Sequence, residues 1–413
     1  MLRSGGVATR MDNDQSHEGR QASVHYLVGN HLTENTPTMP FGDEVCAFLN
    51  DLSRDLLSHK EIRDYPDVAS FAYWCRKGNV SALKEKYRAV FALSCGRMGR
   101  GLAFHITPSN VPVNFAFSFV FSLVAGNANI VRVPSAQRAQ TAIICDAINR
   151  VIAKYPDIAK RTAFVQYPIN ELITASFSLA SDVRIIWGGD QTVEAIRAAK
   201  CPPHCKDVVF PDRYSIGIIN GKDMDRISDE EMQKLAAGLY NDTYLMDQNA
   251  CSSPQLLFWQ YTDESVKQRF WNAVERYAAD HYELPPSLVT DKYVQLCSDI
   301  LKGNVSQPIE FKGFLTVVTL GSLPDDSTLL RGKGGYFYQY DIESVKEIVP
   351  CVSEKFQTLL YFGYQAKELA DALFSARLRG ISRIAPFGTA MDIDIIWDGY
   401  DLVFELSRTL DVQ

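Results

Sequence analysis

A helix that crosses a bilayer needs roughly 20 consecutive apolar residues, and this chain has no such run. Its most apolar stretch, Val111 to Ala125, is shorter and carries Asn114, Ser118 and Ser122, so it reads as a buried helix of a soluble protein. A basic excess is missing too. The 42 Lys and Arg are outnumbered by 49 Asp and Glu, net charge -7, with no basic stripe, which argues against nucleic acid as a partner. There is no disulfide framework: the nine cysteines are scattered and odd in number, as expected of reduced thiols in a cytoplasm. No internal repeat, low-complexity segment or apolar leader is visible, and residues 1–20 read as a flexible lead-in.

What is present is a globular composition, 46% hydrophobic over 413 residues, enough for two or three domains. Apolar spacing predicts helices over 43–60 and 66–90 and a strand around Val90 to Ser94. Gly96 to Gly101 reads as a glycine-rich turn into a buried strand, Leu102 to Ile106. After the loop Thr107 to Pro112, an apolar helix ends at Gly126-Asn127. Strands at Asn129–Val133, Thr162–Val165 and Val183–Trp187 then alternate with helices over 136–155, 169–180 and 191–200. That alternation predicts a mostly parallel sheet covered by helices on both faces. The pattern restarts with a strand at Tyr214–Ile219 and a helix over 228–241. The expected fold is therefore α/β with two domains. A nucleotide-binding domain spans 21–213, a thiol-bearing catalytic domain spans 214–385, and 386–413 packs back on the first domain or on a neighbouring subunit.

Cys251 is the candidate nucleophile. It lies in Asn249-Ala250-Cys251-Ser252-Ser253-Pro254, between a helix and an apolar run, where a thiolate could meet an acyl carbonyl. Taken alone, such a cysteine is more often a buried core residue. An oxyanion formed by its attack needs a preset donor, and Asn110, stiffened by Pro108 and Pro112, can supply an amide. Asn110 can also be read as a helix cap. Asn110, Asn114, Ser118 and Ser122 recur every four residues as one polar stripe. Gly188-Gly189, ending a strand before a helix, lets backbone approach a dinucleotide, and Arg132, Pro134 and Ser135 end another strand. Cys201-Pro202-Pro203-His204-Cys205 looks like metal ligands, but no second ligand cluster accompanies it, so no metal is expected. His105 reads as a core histidine.

Together these segments resemble the aldehyde dehydrogenase superfamily, and within it the acyl-CoA reductase branch that includes the fatty acyl reductases of bacterial bioluminescence. Pro108-Ser109-Asn110-Val111-Pro112 is similar to the superfamily's Trp-Asn-Phe-Pro segment, which implies the oxyanion role for Asn110. Gly126-Asn127 through Arg132 to Ser135 resembles Gly-Asn…Lys-Pro-Ser. This implies that Arg132 faces the adenosine ribose, where an arginine suits a 2′-phosphate and favours NADPH over NADH. Trp187-Gly188-Gly189-Asp190 resembles the turn beside the pyrophosphate, and Asn249-Ala250-Cys251 the nucleophile segment. By the same likeness Ile106, Thr107 and Pro108 adjoin the cofactor, and Glu354 of Glu354-Lys355-Phe356 holds the nicotinamide ribose. The tail, Gly380 to Pro386 with Trp397-Asp398-Gly399-Tyr400-Asp401, is similar to the reductase branch. Oxidising members place a water-activating glutamate where this chain has Val209.

The resemblance implies an NADPH-dependent reductase of an acyl-CoA, or of an acyl-protein donor, acting through a Cys251 thioester. Asn114, Phe115 and Ser118 would line the acyl path. It also implies a cytoplasmic homo-oligomer, with an acyl-activating protein as a partner. Two other readings stay open: an aldehyde dehydrogenase running to the acid, which Val209 argues against, and a non-catalytic acyl-binding subunit.

Overall fold

In the computed structural model, which describes residues 23–32, 34–91, 96–136, 138–303, 305–308 and 313–411, two units carry separate sheets. The first is Met1–Pro211 with Asp401–Gln413, and the second is Asp212–Tyr400. The expected lead-in over 1–20 lies outside the described residues.

The first unit holds β1 (His25–Val28), β2 (Arg97–Gly99), β3 (Leu102–Ile106), β4 (Ala128–Arg132), β5 (Thr162–Gln166), β6 (Val183–Trp187) and β7 (Lys206–Phe210). Its helices include α1 (Asp43–Ser58), α2 (Pro66–Trp74), α3 (Lys77–Phe91), α4 (Asn114–Val124), α5 (Ala139–Ile152), α6 (Pro156–Ala159), α7 (Glu171–Ala180) and α8 (Asp190–Ala198). The main sheet runs β1-β5-β4-β3-β6-β7, and only β1 pairs antiparallel. Parallel strands covered on both faces are largely apolar, as β3 and β6 are apart from His105 and Arg184, every residue of each being buried. Helix α4 is buried all round, consistent with its nearly unbroken apolar sequence. It stops at Gly126, where the Gly126 and Asn127 N–H groups return to the Leu123 and Ser122 carbonyls (3.0 and 3.1 Å). Gly126 has φ +94°, and a Cβ there would stand 2.0 Å from the Thr38 carbonyl oxygen, so only glycine fits.

Three local expectations are corrected. The helix predicted over 66–90 is broken at Cys75-Arg76, where Asn79 Nδ2 takes up the Trp74 carbonyl at 2.8 Å and satisfies the end of α2. Val90 and Phe91 end α3 rather than open a strand, with Phe91 packing on Tyr87 one turn back; Ala92, Leu93 and Ser94 lie outside the described residues. The supposed turn Gly96–Gly101 contains strand β2, paired antiparallel with Ser407–Thr409 and held there by Arg97, which donates to Ser407 Oγ (2.7 Å) and Thr409 Oγ1 (2.8 Å).

The second unit contains β8 (Tyr214–Asn220), β9 (Pro254–Gln260), β10 (Val305–Pro308), β11 (Thr316–Leu320), β12 (Tyr336–Ile342), β13 (Phe356–Phe362) and β14 (Arg383–Pro386). Its helices are α9 (Gly221–Arg226), α10 (Asp229–Thr243), α11 (Glu264–His281), α12 (Pro286–Lys302) and α13 (Ala366–Ser375). The sheet order is β10-β11-β12-β9-β8-β13-β14, parallel except for the β10–β11 pair. Two buried indoles, Trp259 and Trp271, both donate to Gln339 Oε1 (3.0 and 2.8 Å), so the polar edge of this aromatic core is paired.

Candidate active site

The expected residues fall into two groups, one in each unit. In the first unit the chain runs outward from β3 through β4 to β5, then returns to place β6 on the other side of β3. The crevice outside the carboxyl ends of β3 and β6 is the switch point where open α/β sheets bind ligands. Ile106 ends β3, Arg132 ends β4 and Trp187 ends β6; Ile106 is in register with both Arg132 and Ile186. The loops that leave this edge carry Thr107, Pro108 and Asn110, then Pro134 and Ser135, then Gly188, Gly189 and Asp190. Thr107 Oγ1 donates to the Arg132 carbonyl at 2.7 Å, tying two of these loops together, and the Pro134 carbonyl accepts from Gln166 Nε2 at 2.7 Å.

Three features of this edge concern an anionic ligand. Gly189 precedes the N-terminus of α8 with φ −64° and ψ 165°, backbone that any residue adopts, and a Cβ there would touch nothing within 4 Å. The fold itself therefore does not require glycine at 189. The Arg132 guanidinium lies 4.8 Å from the centre of the Tyr167 ring, and its buried Nε has no hydrogen-bond partner among the described residues. Asn110 is exposed in the loop ahead of α4.

The polar stripe is shorter than expected, because α4 begins at Asn114 and Asn110 stays in the loop. Ser118 faces the sheet, in contact with His105 Nδ1 (2.8 Å) and Trp187 Nε1 (3.1 Å). Phe115 packs edge-on against Phe164. Both side chains are thus parts of the first unit's core, while the buried Asn114 Oδ1 is left without a hydrogen-bond partner among the described residues. Asn127, expected as a helix stop, binds the Arg100 and Gly101 N–H groups (2.7 and 3.2 Å) and donates to the Leu406 carbonyl (2.9 Å).

In the second unit, Cys251 sits half-buried in a tight turn just before β9. The turn is fixed on every side. Asp247 and Gln248 enter it with φ +49° and +62°. Gln248 is buried, donating to the Pro254 and Tyr336 carbonyls (3.1 and 3.0 Å) and accepting from the Gly335 and Tyr336 N–H groups (both 3.2 Å). The Ser253 N–H reaches the Ala250 carbonyl at 3.0 Å, and Ser253 Oγ donates to the Asp242 carbonyl at 2.7 Å. The Cys251 carbonyl accepts from Ser215 Oγ at 2.7 Å. Such a turn holds its thiol without needing rearrangement.

Burial pushes the Cys251 thiol up; the Arg213 peptide N–H opposes this, Asp212 and Asp398 add to it, and Arg331 opposes it. Both acids are neutralised by these arginines. Arg331 takes Asp212 bidentately (3.1 and 2.7 Å), and Arg213 Nε donates to Asp398 at 2.9 Å. Arg213 Nη1 also donates to the Glu354 carbonyl at 2.5 Å. Glu354 is exposed in the turn before β13, so Arg213, Cys251 and Glu354 all precede the amino ends of adjacent parallel strands β8, β9 and β13. No motif assigned a role to Arg213, Arg331 or Asp212; Asp398 lay in the tail motif but without a role. Val209 is buried in β7 with the apolar core, so no carboxylate occupies that position.

An α/β architecture of this kind is that of the aldehyde dehydrogenases. The chain is similar to aldehyde dehydrogenase 21 from Physcomitrella patens (TM-score 0.57, 12% identity, covering 89% of this chain and 85% of that one). It is also similar to Thermus thermophilus 1-pyrroline-5-carboxylate dehydrogenase (TM-score 0.61, 13% identity, covering 89% and 80%). At these identities the likeness is one of fold. Within that fold the acyl-CoA reductase (LuxC) family model matches residues 82–296, just over half of the chain, and the chain belongs to this family. A curated relative, long-chain acyl-protein thioester reductase 2 from Photobacterium leiognathi, is 24% identical over 162 residues, which are 39% of this chain and 32% of the relative. The matched part thus spans about a third of that relative's length. No helix among the described residues is long and apolar enough to cross a membrane.

Proposed function

We propose that the protein reduces an acyl thioester, acyl-CoA or an acyl-protein, to an aldehyde through a thioester on Cys251. The observation that carries this reading is the Cys251 turn: a half-buried thiol, locked by Gln248, Ser215 and Ser253, with a peptide N–H directed at its sulfur. Its thiolate attacks the acyl carbonyl, the Cys251 peptide N–H and the Asn110 amide donate to the oxyanion, and the donor thiol leaves. NADPH, when bound, supplies the hydride that converts the thioester to aldehyde and frees Cys251. A buried apolar Val209 in place of a water-activating carboxylate leaves the thioester slow to hydrolyse, which favours reduction over acid formation.

The residues at the sheet edge fit a dinucleotide phosphate. Open space at Gly189 admits a pyrophosphate to the N-terminus of α8 beside Gly188 and Asp190. The Arg132 guanidinium, whose buried Nε has no partner among the described residues, suits a 2′-phosphate. Ile106, Thr107, Pro108, Pro134 and Ser135 shape the same edge, and Glu354 holds the nicotinamide ribose. Along the acyl path the role falls to Asn114, because Phe115 and Ser118 are committed to the core. The protein acts in the cytoplasm as a homo-oligomer, supplied by an acyl-activating partner. Purified protein with NADPH and a chain-length series of acyl-CoA thioesters tests this: aldehyde should form in step with NADPH loss, and free acid as the main product would overturn it.

A further inference from the structure

The Cys201-Pro202-Pro203-His204-Cys205 segment takes no part in the chemistry above. It joins α8 to β7, at the end of the sheet opposite Gly188. Among the described residues no group of three His, Cys, Asp or Glu side chains is placed to hold a metal, and His204 is exposed and paired with Asp182 at 2.8 Å. The two thiols are left to each other. The Cys205 N–H closes a turn onto the Pro202 carbonyl at 2.9 Å, and Cys201 immediately precedes that turn. Both cysteines are free and half-buried, and Cys201 is a side-chain hydrogen-bond partner of the Cys205 thiol. The Cys205 sulfur also lies 3.8 Å from Ser181 Oγ.

A rigid frame surrounds the pair. Arg184, on β6, donates to the Ile196 and Ala199 carbonyls at the end of α8 (both 2.9 Å) and grips Asp207 on β7 (2.7 and 2.8 Å). Its guanidinium therefore ties together both flanks of the connection, and it feels the charge of both sulfurs. A part-exposed dithiol beside a fixed cation is the setting in which cysteines become reactive.

We propose that Cys201 and Cys205 are a reversible dithiol–disulfide couple whose oxidant is a small disulfide such as oxidised glutathione. The Cys201 thiolate attacks one sulfur of that disulfide and expels a glutathione thiolate, leaving a mixed disulfide on Cys201. The Cys205 thiolate then attacks the Cys201 sulfur and expels the second glutathione. The protein loses two electrons and two protons, and the oxidant becomes two thiols. Burial pushes the Cys205 thiol up to about 11, which leaves the first attack to Cys201.

The sequence provides a clean readout, since trypsin cuts after Lys200 and Lys206 and releases both cysteines in one peptide. The full-length protein is equilibrated with graded ratios of reduced and oxidised glutathione, alkylated and digested. The peptide should lose the mass of two hydrogens, resist alkylation, and recover on adding dithiothreitol. The folded protein should favour the disulfide by about tenfold or more over the same protein in urea, because the fold holds the thiols together. In Cys205→Ser, glutathione should remain on Cys201. A doubly alkylated peptide throughout, glutathione retained on both cysteines, or an equal preference in urea would each overturn the proposal. None of these readouts depends on acyl reduction.

Discussion

Ser118→Ala tests the polar chain that links α4 to the sheet of the first unit. Trp187 Nε1 donates to Ser118 Oγ at 3.1 Å, and the hydroxyl has one proton, which goes to His105 Nδ1 at 2.8 Å. His105 Nε2–H then donates to Asn129 Oδ1 at 3.0 Å, and Asn129 Nδ2 to the Asn127 carbonyl at 2.9 Å. These links fix one tautomer: a neutral imidazole with its proton on Nε2. Alanine removes the hydroxyl and leaves two buried groups unpaired, the indole N–H and Nδ1. Each orphan costs about 1–3 kcal/mol, so the variant should lose about 2–6 kcal/mol. For a unit of this size each kcal/mol moves Tm by roughly 2–4 °C, which gives a fall of about 4–24 °C. Scanning calorimetry reads that shift, and near-UV circular dichroism reports Trp187 in the folded variant. A loss below about 1 kcal/mol would refute the reasoning, because it would mean that neither group depends on Ser118.

Three further outcomes follow from the same geometry. Burial holds His105 down at about 4, against 6.5 for the free imidazole, so between those values the unfolded chain binds the extra proton. Stability should therefore be fully present above pH 6.5 and fall by about 3 kcal/mol as pH drops to 4, a slope that denaturant titration of His105→Gln should show flattened. Gly189→Ser should keep or raise Tm, since serine is a good N-cap and its side chain meets open space, yet weaken NADPH binding by about tenfold or more in a fluorescence titration. Arg132→Ala should raise KM for NADPH about 10- to 100-fold while changing that for NADH little, as expected for loss of a charged hydrogen bond; equal effects on both would remove Arg132 from the 2′-phosphate.

Much of the first unit was legible because its elements are short and sharply punctuated. Leu102–Ile106 and Val183–Trp187 are apolar strands bounded by glycine or proline signals, and both lie where the spacing puts them. The signals failed where tertiary partners decide. Arg97–Gly99 looks like a turn until Ser407–Thr409 pairs with it from 310 residues away, and no local pattern encodes that partner. The stripe from Asn110 to Ser122 has the right period, but the proline at 112 and the loop ahead of Asn114 exclude Asn110 from the helix. Around Cys251 the sequence marked the candidate nucleophile and its neighbours. It could not mark Arg213, Arg331, Asp212 or Gln248, whose roles arise from strand ends that the fold brings together.

Acylation of Cys251 tests the account most directly. Protein mixed with an acyl-CoA in the absence of NADPH, quenched and digested, should carry one acyl group on the peptide containing Cys251, and adding NADPH should discharge it as aldehyde. Cys251→Ala should carry none. Aldehyde formation by Cys251→Ala, or an acyl group placed on another residue of the native protein, would contradict the account.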